Sequence, residues 1–269
     1  MNLLKLPFHF LLDIYRQKFL VFQLTSREFK NKYVGSYLGF LWTIIQPFVM
    51  IFVLWLVFTK GFKSGDVEGI PFIAWLTCGL VVWDFFATTL SAGTNVFSDY
   101  QFLVKKIQFN VAILPLIKIF SSLITHGIML LIAMGILIFS GVEFSWYWFQ
   151  IFYYLFALLA FLLGVSWITS SFQVFLKATA QVVHVFLQFG FWLTPIMWNY
   201  QMLPEKYQSL LNFHPLFYIV NGYRESFLFK VPFWENLQGM LVFWGTTGAI
   251  LLISVIVFKK LRPHFADVL

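Results

Sequence analysis

Residues 111–139 read VAILPLIKIFSSLITHGIMLLIAMGILIF, a run in which Lys118 is the only formally charged side chain. A helix that crosses the hydrocarbon core of a bilayer needs roughly 20 mostly apolar residues. This run is long enough to span, and the chain has length for several such helices joined by short connections. The stretch therefore predicts a transmembrane helix and indicates the class of the whole chain.

The composition of the full chain supports an integral membrane protein. Of the 269 residues, 60% are hydrophobic and only 11% are charged, whereas ordinary soluble domains carry about 25% charged residues. The net charge of +7 comes from Lys and Arg residues beside apolar runs, which indicates membrane topology rather than nucleic-acid binding. Cys78 is the only cysteine, so an intrachain disulfide and a cysteine-based zinc cluster are excluded.

Apolar runs predict an all-α protein with about six transmembrane helices, in a single domain that covers residues 35–269. The predicted spans are residues 35–58, 70–92, 111–139, 146–175, 182–198 and 236–258. The fifth of these spans is the shortest. Tryptophans stand at the start of the fourth span and before the sixth, where amphipathic rings favour the headgroup level.

The positive charges predict how the helices cross the membrane. One set of alternate connections holds twelve Lys and Arg residues, and the opposite set holds five. Cytoplasmic connections accumulate such residues. Because the first set includes both ends of the chain, we expect both termini to lie in the cytoplasm.

Residues 1–34 form a cytoplasmic segment ahead of the first predicted span. Between Leu3 and Phe22, apolar side chains are mixed with charged ones, as in an amphipathic helix that lies in the membrane interface. A short soluble tail is the alternative. Asp13 and Arg16 interrupt the apolar stretch and no small-residue cleavage pattern follows, so no removable signal peptide is predicted.

The familiar motifs for catalysis and metal binding are missing from the sequence. Neither a G-x-x-x-x-G-K-[ST] phosphate loop nor an H-E-x-x-H pair occurs. Any ATP hydrolysis must therefore come from another subunit, and we expect no metal, no cofactor and no enzymatic site in this chain. Asp84 and Lys118 are the clearest charges at membrane depth, where such groups find partners. They could pair with each other or snorkel towards the interface, and a proton relay is the functional alternative.

Aromatic residues are frequent in the first and fifth predicted spans. Flat apolar ring faces can stack on the C–H faces of sugars without requiring one hydroxyl pattern. Such rings suit a conduit for a polymer, although lipid contact and helix packing account for most aromatic residues in this chain. The candidate conduit-lining residues are Phe40, Trp42, Phe48, Phe52, Phe186, Phe189 and Trp192.

Residues 98–110, the connection between the second and third spans, are apolar where a solvated loop is expected to be polar. The apolar side chains are Phe102, Leu103, Ile107 and Phe109. Exposed apolar groups outside the hydrocarbon suggest a docking partner. The segment therefore predicts a short cytoplasmic helix or turn that binds another protein.

Residues 199–235 form the longest connection and are also too apolar for a free loop. Pro204 and Pro215 can each open a helix, through about Phe213 and Lys230 respectively. Because each helix is shorter than the hydrocarbon core, we predict a re-entrant pair in the outer leaflet, covered by protein. Candidate outer-gate residues, which contact headgroups or a passing diphosphate or else anchor the helix, are Tyr218, Tyr223, Arg224 and Glu225.

Several motifs resemble type-2 membrane permeases of polysaccharide-exporting ABC transporters. The opening motif is carried by Arg27, Glu28, Phe29, Lys30, Tyr33, Gly35, Leu38, Gly39, Trp42, Gln46 and Pro47. Later stretches are similar in the same order, namely Val104, Lys105, Lys106, Ile107 and Phe109, then Leu114 and Pro115, then Thr194, Pro195 and Ile196, and last Asn212, Pro215, Tyr223 and Arg224. The chain departs from the family pattern F-P-R, because it reads Phe109, Asn110, Val111.

The resemblance implies a homodimer of this permease with two copies of a cytoplasmic ATPase, which bind ATP and Mg²⁺. The implied cargo is undecaprenyl-diphosphate-linked polysaccharide, either O antigen or wall teichoic acid, moved outward across the bacterial plasma membrane. In such permeases the segment after the second span contacts the ATPase, and the segment before the last span forms the outer gate. The ATPase-coupling candidates are then Phe102, Leu103, Lys105, Lys106, Ile107 and Phe109.

Two other functions are compatible with a multi-span chain. A secondary transporter or channel needs ion sites within the membrane, and only Asp84 and Lys118 favour that alternative. A membrane-embedded transferase needs a catalytic cluster, which the sequence does not offer.

Overall fold

The computed structural model describes residues 12–106 and 109–269. In this part of the chain the structure is helical, and its only β pairing is an isolated bridge between Val67 and Ile70. The prediction of an all-α membrane protein is confirmed. The helices used below are α1 (Lys18–Asn31), α2 (Trp42–Leu56), α3 (Phe72–Thr94), α4 (Leu114–Phe139), α5 (Ile151–Phe175), α6 (Thr179–Leu193), α7 (Glu205–Leu211), α8 (Pro215–Arg224) and α9 (Leu237–Leu261).

Within residues 12–106 and 109–269, five helical segments are long and apolar enough to cross a membrane. Each consists of one long helix and, in most cases, an adjoining irregular turn. The segments are Gly39–Gly61, Phe72–Thr94, Val111–Phe139, Trp146–Phe175 and Leu237–Val268. They coincide with five of the six predicted spans, which confirms the multi-span architecture.

The fifth predicted span, residues 182–198, is wrong in its bounds. α6 ends at Leu193 after 15 residues, or about 22 Å at 1.5 Å per residue, which is less than the roughly 30 Å hydrocarbon core. Thr194 has an extended backbone with ψ of 131°, because the ring of a following proline disfavours the helical conformation. Pro195 therefore ends the helix earlier than its apolar sequence suggested.

The first predicted span, residues 35–58, also begins later than expected. α2 starts at Trp42, after a 3₁₀ turn at Gly39–Leu41. Gly35 and Gly39 have φ angles of 81° and 49°, in the left-handed region that glycine adopts at little cost. These two glycines separate the polar segment before the span from the membrane helix itself.

α3 lies at the centre of the bundle and packs against α2, α4, α5, α6 and α8. Glycines allow this close packing: a Cβ on Gly93 would lie 2.7 Å from Ser166 Oγ of α5, and one on Gly190 of α6 would lie 2.9 Å from Trp83. Small residues let membrane helices approach each other. By contrast, α2 and α6 keep broad apolar faces exposed.

α1 packs against α4 and presents the other side of its helix to the surroundings. Tyr15 and Phe19, with Phe22, are about 70% exposed, which fits the predicted amphipathic interface segment. The location of that segment at a membrane stays a prediction. Residues 1–11 of the predicted segment 1–34 lie outside the described residues.

The two helices predicted between residues 199 and 235 are present as α7 and α8. α8 begins at Pro215 as predicted and continues as a π-helical turn, Glu225–Phe229. α8 is largely buried among the spans, whereas α7 has no buried residue. Only the second member of the pair is thus covered by protein within this chain.

Candidate functional site

A groove of about 1620 Å³ runs along the bundle between α2 and α6. α3 and α4 form its back wall, and α2 and α6 form its two sides. The volume exceeds the roughly 300–1,000 Å³ typical of small-molecule sites. The groove is therefore large enough for an extended ligand.

A polar stripe on α3 covers one half of the back wall. Asp84, Thr88, Ser91 and Asn95 all line the groove. Their spacing of four, three and four residues places them on one face of a helix with 3.6 residues per turn. Asp84 forms no hydrogen bond or ion pair with any other described residue, so its carboxylate is available to a ligand.

A second polar stripe lies on α4, which packs directly against α3. Lys118, Ser122 and Thr125 line the groove with the same spacing of four and three residues. The hydroxyls of Ser122 and Thr125 are buried and have no partner among the described residues. Because an unmade buried hydrogen bond costs about 1–3 kcal/mol, these two hydroxyls are suited to bind a ligand or water.

The seven aromatic residues predicted to line the conduit fall into two groups in the structure. Trp42, Phe189 and Trp192 line the groove. The other four candidates are exposed on the same two helical segments but outside the groove lining; they are Phe40, Phe48, Phe52 and Phe186. A helix turns by 100° per residue, so neighbouring rings on α2 and α6 cannot all face one side.

The polar stripe on α3 was not among the predicted site residues. The signal was nevertheless present in the sequence, since polar residues recur at helical spacing from Asp84 to Asn95 in an otherwise apolar helix. The sequence pattern does not show which helices lie opposite the polar face of α3. They depend on how α2, α4 and α6 pack around α3.

A charge cluster lies at one end of the groove, where α3 ends and α4 begins. Lys118 Nζ lies 2.6 Å from Glu28 Oε1 and 2.8 Å from Asp99 Oδ2. The predicted pair between Asp84 and Lys118 is therefore wrong. Lys118 is instead satisfied by α1 and by the segment after α3, which sequence spacing alone did not bring near it.

Glu28 is held ionised within that cluster. Tyr100 donates a hydrogen bond of 2.6 Å to Glu28 Oε2, and Lys118 donates one to Oε1. Burial by itself raises the pKa of Glu28, but these two hydrogen bonds and the charge of Lys118 outweigh burial and lower the pKa below its ordinary value. The cluster thus joins α1, α4 and the segment 98–110 by charged contacts.

The predicted coupling segment forms two short helical turns, Val96–Asp99 and Gln101–Val104. Phe102 is 53% exposed, and Lys105 and Lys106 are exposed beside it. Leu103 and Phe109 are instead buried in a core cluster with Phe97 and Phe258, so they hold the segment in place rather than offer it to a partner. Ile107 lies outside the described residues.

The predicted outer-gate residues anchor α8 to the spans. Tyr223 OH lies 3.1 Å from His126 Nε2 of α4, and Glu225 accepts hydrogen bonds from Asn221 and, at 3.4 Å, from Tyr154 of α5. Tyr218 OH lies 3.1 Å from Tyr153 OH. None of the four candidates lines the groove. These contacts are those expected of helix anchoring, and a role at headgroups or at a passing diphosphate stays a prediction.

Arg224 is the least ordinary of these residues because it carries a charged side chain and is fully buried. Its Nη1 and Nη2 atoms each donate a 2.7 Å hydrogen bond, to the carbonyl oxygens of Pro195 and Ile196. The guanidinium also lies 3.7 Å above the ring of Trp75. Arg224 therefore satisfies two backbone carbonyls of the segment that directly follows the end of α6.

Metal ligands are not grouped in the part of the chain that the structure describes. No three His, Cys, Asp or Glu side chains of residues 12–106 and 109–269 are close enough to hold an ion. Cys78 is a buried free thiol in α3.

The chain matches the family model described as ABC-2 type transporter over residues 20–228. The matched range includes α1 from its third residue onward and all four helices that line the groove. Over 253 residues the chain is 26% identical to the O-antigen export system permease protein RfbA of Klebsiella pneumoniae, covering 91% of this chain and 93% of that protein. It is 25% identical over 262 residues to RfbA of Myxococcus xanthus, covering 95% and 97% respectively.

Proposed function

This chain belongs to the ABC-2 type transporter family, and from that premise we propose that it is the membrane permease subunit of an ATP-driven exporter of O antigen. The relatives named above are O-antigen export permeases that align over more than 90% of their length. Their names favour O antigen over wall teichoic acid. The proposed cargo is the polysaccharide linked to undecaprenyl diphosphate, moved outward across the bacterial plasma membrane.

The open groove is the observation that carries the proposal. One copy of the chain supplies a back wall and two sides, while the faces of α2 and α6 remain exposed and apolar. A second copy related by a two-fold axis would cover these faces and close two grooves into one conduit. We therefore propose a homodimer, which buries apolar surface and encloses the path of the polymer.

Energy is proposed to come from two copies of a separate cytoplasmic ATPase. The sequence has no phosphate loop of its own, so ATP and Mg²⁺ would bind to the partner. The exposed group of Phe102, Lys105 and Lys106 is the proposed docking surface. This arrangement requires the segment after α3 to lie in the cytoplasm, and the Lys and Arg distribution predicts that location for this segment and for both termini.

A secondary transporter or channel is less well supported. Lys118, one of the two charges that favoured it, is neutralised by Glu28 and Asp99. A carboxylate alone, at Asp84, does not make an ion pathway. The charge cluster is therefore better explained as a contact between helices.

The test is export in a bacterial strain that lacks its own O-antigen permease. The chain, co-expressed with its ATPase, should restore O antigen at the cell surface, and a variant of the ATPase that binds but cannot hydrolyse ATP should not. The purified permease should retain the ATPase through chromatography. Export that continues with the inactive ATPase and stops when the proton gradient is collapsed would contradict the proposal.

A further inference from the structure

We infer that the back wall of the groove binds an uncharged glycan, and that its charge pattern disfavours a polyanionic one. The inference rests on the proposed function and adds to it the class of repeating unit that the groove accepts. It concerns the repeating glycan and not the single diphosphate at the lipid end of the cargo.

Hydrogen-bonding groups without a protein partner face the groove from two helices. Asp84 of α3 accepts no hydrogen bond from a described residue, and the hydroxyls of Ser122 and Thr125 on α4 have no partner in the described chain. Ser122 is only 3% exposed. An ionised carboxylate only accepts hydrogen bonds, whereas a hydroxyl both donates and accepts. A polyhydroxylated ligand satisfies all three groups.

The sides of the groove supply the apolar surface that a sugar ring also needs. Trp42 stands on α2, and Phe189 and Trp192 stand on α6, across from the polar wall. Sugar rings have apolar C–H faces and polar hydroxyl edges, so they fit between a ring-bearing wall and a hydrogen-bonding wall. Neither a lipid tail nor a hydrated ion matches both surfaces.

The charges of the groove lining decide between neutral and anionic glycans. Among the described lining residues the cations are Lys32 and Lys118, and the anions are Asp84 and Asp99. Lys118 is already bound by Glu28 and Asp99, and Lys32 interacts electrostatically with Glu28 and Asp84. The two cations and two anions of the lining therefore balance, and the groove offers no excess positive charge to a polyanion.

Asp84 would oppose an anionic repeat directly. It stands within α3 and lines the groove; Lys32 acts on it electrostatically, but no described residue forms a direct ion pair with its carboxylate. Repulsion between like charges grows as the dielectric constant falls inside a membrane protein. Binding sites commonly reject a wrong ligand by placing a charge of the same sign in its path.

The experiment uses the permease–ATPase complex in proteoliposomes with two substrates that differ in charge alone. One is an undecaprenyl-diphosphate-linked polymer of neutral hexoses, and the other carries one uronic acid in each repeat. We expect the neutral polymer to be transported on the order of ten times faster. Equal rates for the two polymers would overturn the inference and leave the proposed function intact. Transport of neither polymer by a complex that hydrolyses ATP would overturn both.

Three variants locate the selectivity at the polar wall. Asp84→Asn should raise the rate for the charged polymer relative to the neutral one several-fold, and Asp84→Glu, which keeps the charge, should not. Ser122→Ala should slow the neutral polymer about threefold. Ser121→Ala is the matched control, because Ser121 is buried on α4 next to Ser122 but does not line the groove. Unchanged selectivity in Asp84→Asn would exclude Asp84 as its source.

Discussion

Lys118 of α4 is ion-paired with Glu28 of α1, at a distance of 2.6 Å between Nζ and Oε1. A residue near the start of a membrane span is thus bound to the helix that precedes all of the spans. Asp99, 2.8 Å from the same Nζ atom, brings the segment after α3 into the same contact. Three parts of the chain that are distant in sequence therefore depend on one buried ammonium group.

Removal of that ammonium group should destabilise the protein strongly. Lys118→Met leaves Glu28 and Asp99 unpaired, and we expect a loss of about 3 kcal/mol in the free energy of unfolding. The measurement is thermal unfolding of the purified permease in detergent. Lys230→Met is the matched control: Lys230 pairs with Glu143 at 3.4 Å on the surface, and such pairs contribute about 0–1 kcal/mol. Equal losses in the two variants would contradict the assignment.

The stability of the cluster should depend on pH with a defined sign. Burial alone raises the pKa of Glu28, but the hydrogen bonds from Lys118 and Tyr100 lower it below 4.5. Ionised Glu28 therefore stabilises the fold above pH 4.5, and this contribution is lost as the pH falls through the lowered pKa. The Tm of the unmodified protein should fall more steeply below pH 4.5 than that of Glu28→Gln. Parallel curves for the two proteins would refute this prediction.

The end of α6 should depend on the shape of Arg224 and not only on its charge. A lysine cannot donate to two carbonyls in a fork or stack on Trp75 as a guanidinium does. We expect Arg224→Lys to lower the free energy of unfolding by about 2–3 kcal/mol. Arg262→Lys, on the exposed segment after α9, serves as the control and should leave the unfolding temperature unchanged. A wild-type Tm for Arg224→Lys would show that charge alone suffices.

Substitutions at two adjacent residues of the proposed ATPase-docking segment should have different effects. Phe102 is 53% exposed, whereas its neighbour Leu103 is buried. Phe102→Asp should therefore reduce export and ATPase binding at least several-fold while the permease stays folded. Leu103→Asp should instead destabilise the permease itself, because it places a charge in an apolar cluster. Undiminished export by Phe102→Asp would remove that residue from the docking surface.

The two helices before the last span should differ in accessibility. Tyr207 on α7 is 52% exposed, whereas Ile219 on α8 is buried. A cysteine at position 207 should react with a membrane-impermeant maleimide added outside the cell, and one at position 219 should not. The native Cys78 is buried and should give little background. Equal labelling at both positions would indicate a flexible loop instead of a packed gate.

Local sequence patterns were sufficient for the fold class and for most span positions. Apolar runs as long as residues 111–139 satisfy their backbone hydrogen bonds within one helix, so composition and length identify them without knowledge of their neighbours. The prolines at 204 and 215 likewise predicted the starts of two short helices, because the proline ring fixes the φ angle at a value suited to the first helical turn. The early end of α6 has a local cause as well, because Pro195 disfavours a helical conformation at Thr194. The apolar residues on both sides of Pro195 nevertheless suggested a longer span.

Contacts between distant residues were decided by tertiary structure alone. The charges at Asp84 and Lys118 were visible in the sequence, but which carboxylates reach Lys118 depends on where α1 and Asp99 lie after the helices pack. The same holds for Arg224, whose partners at Pro195 and Ile196 are nearly 30 positions earlier in the chain. Hydropathy describes how each residue interacts with lipid or water, and it carries no information on which helix faces which. The groove between α2 and α6 exists only because α3 and α4 pack together behind it.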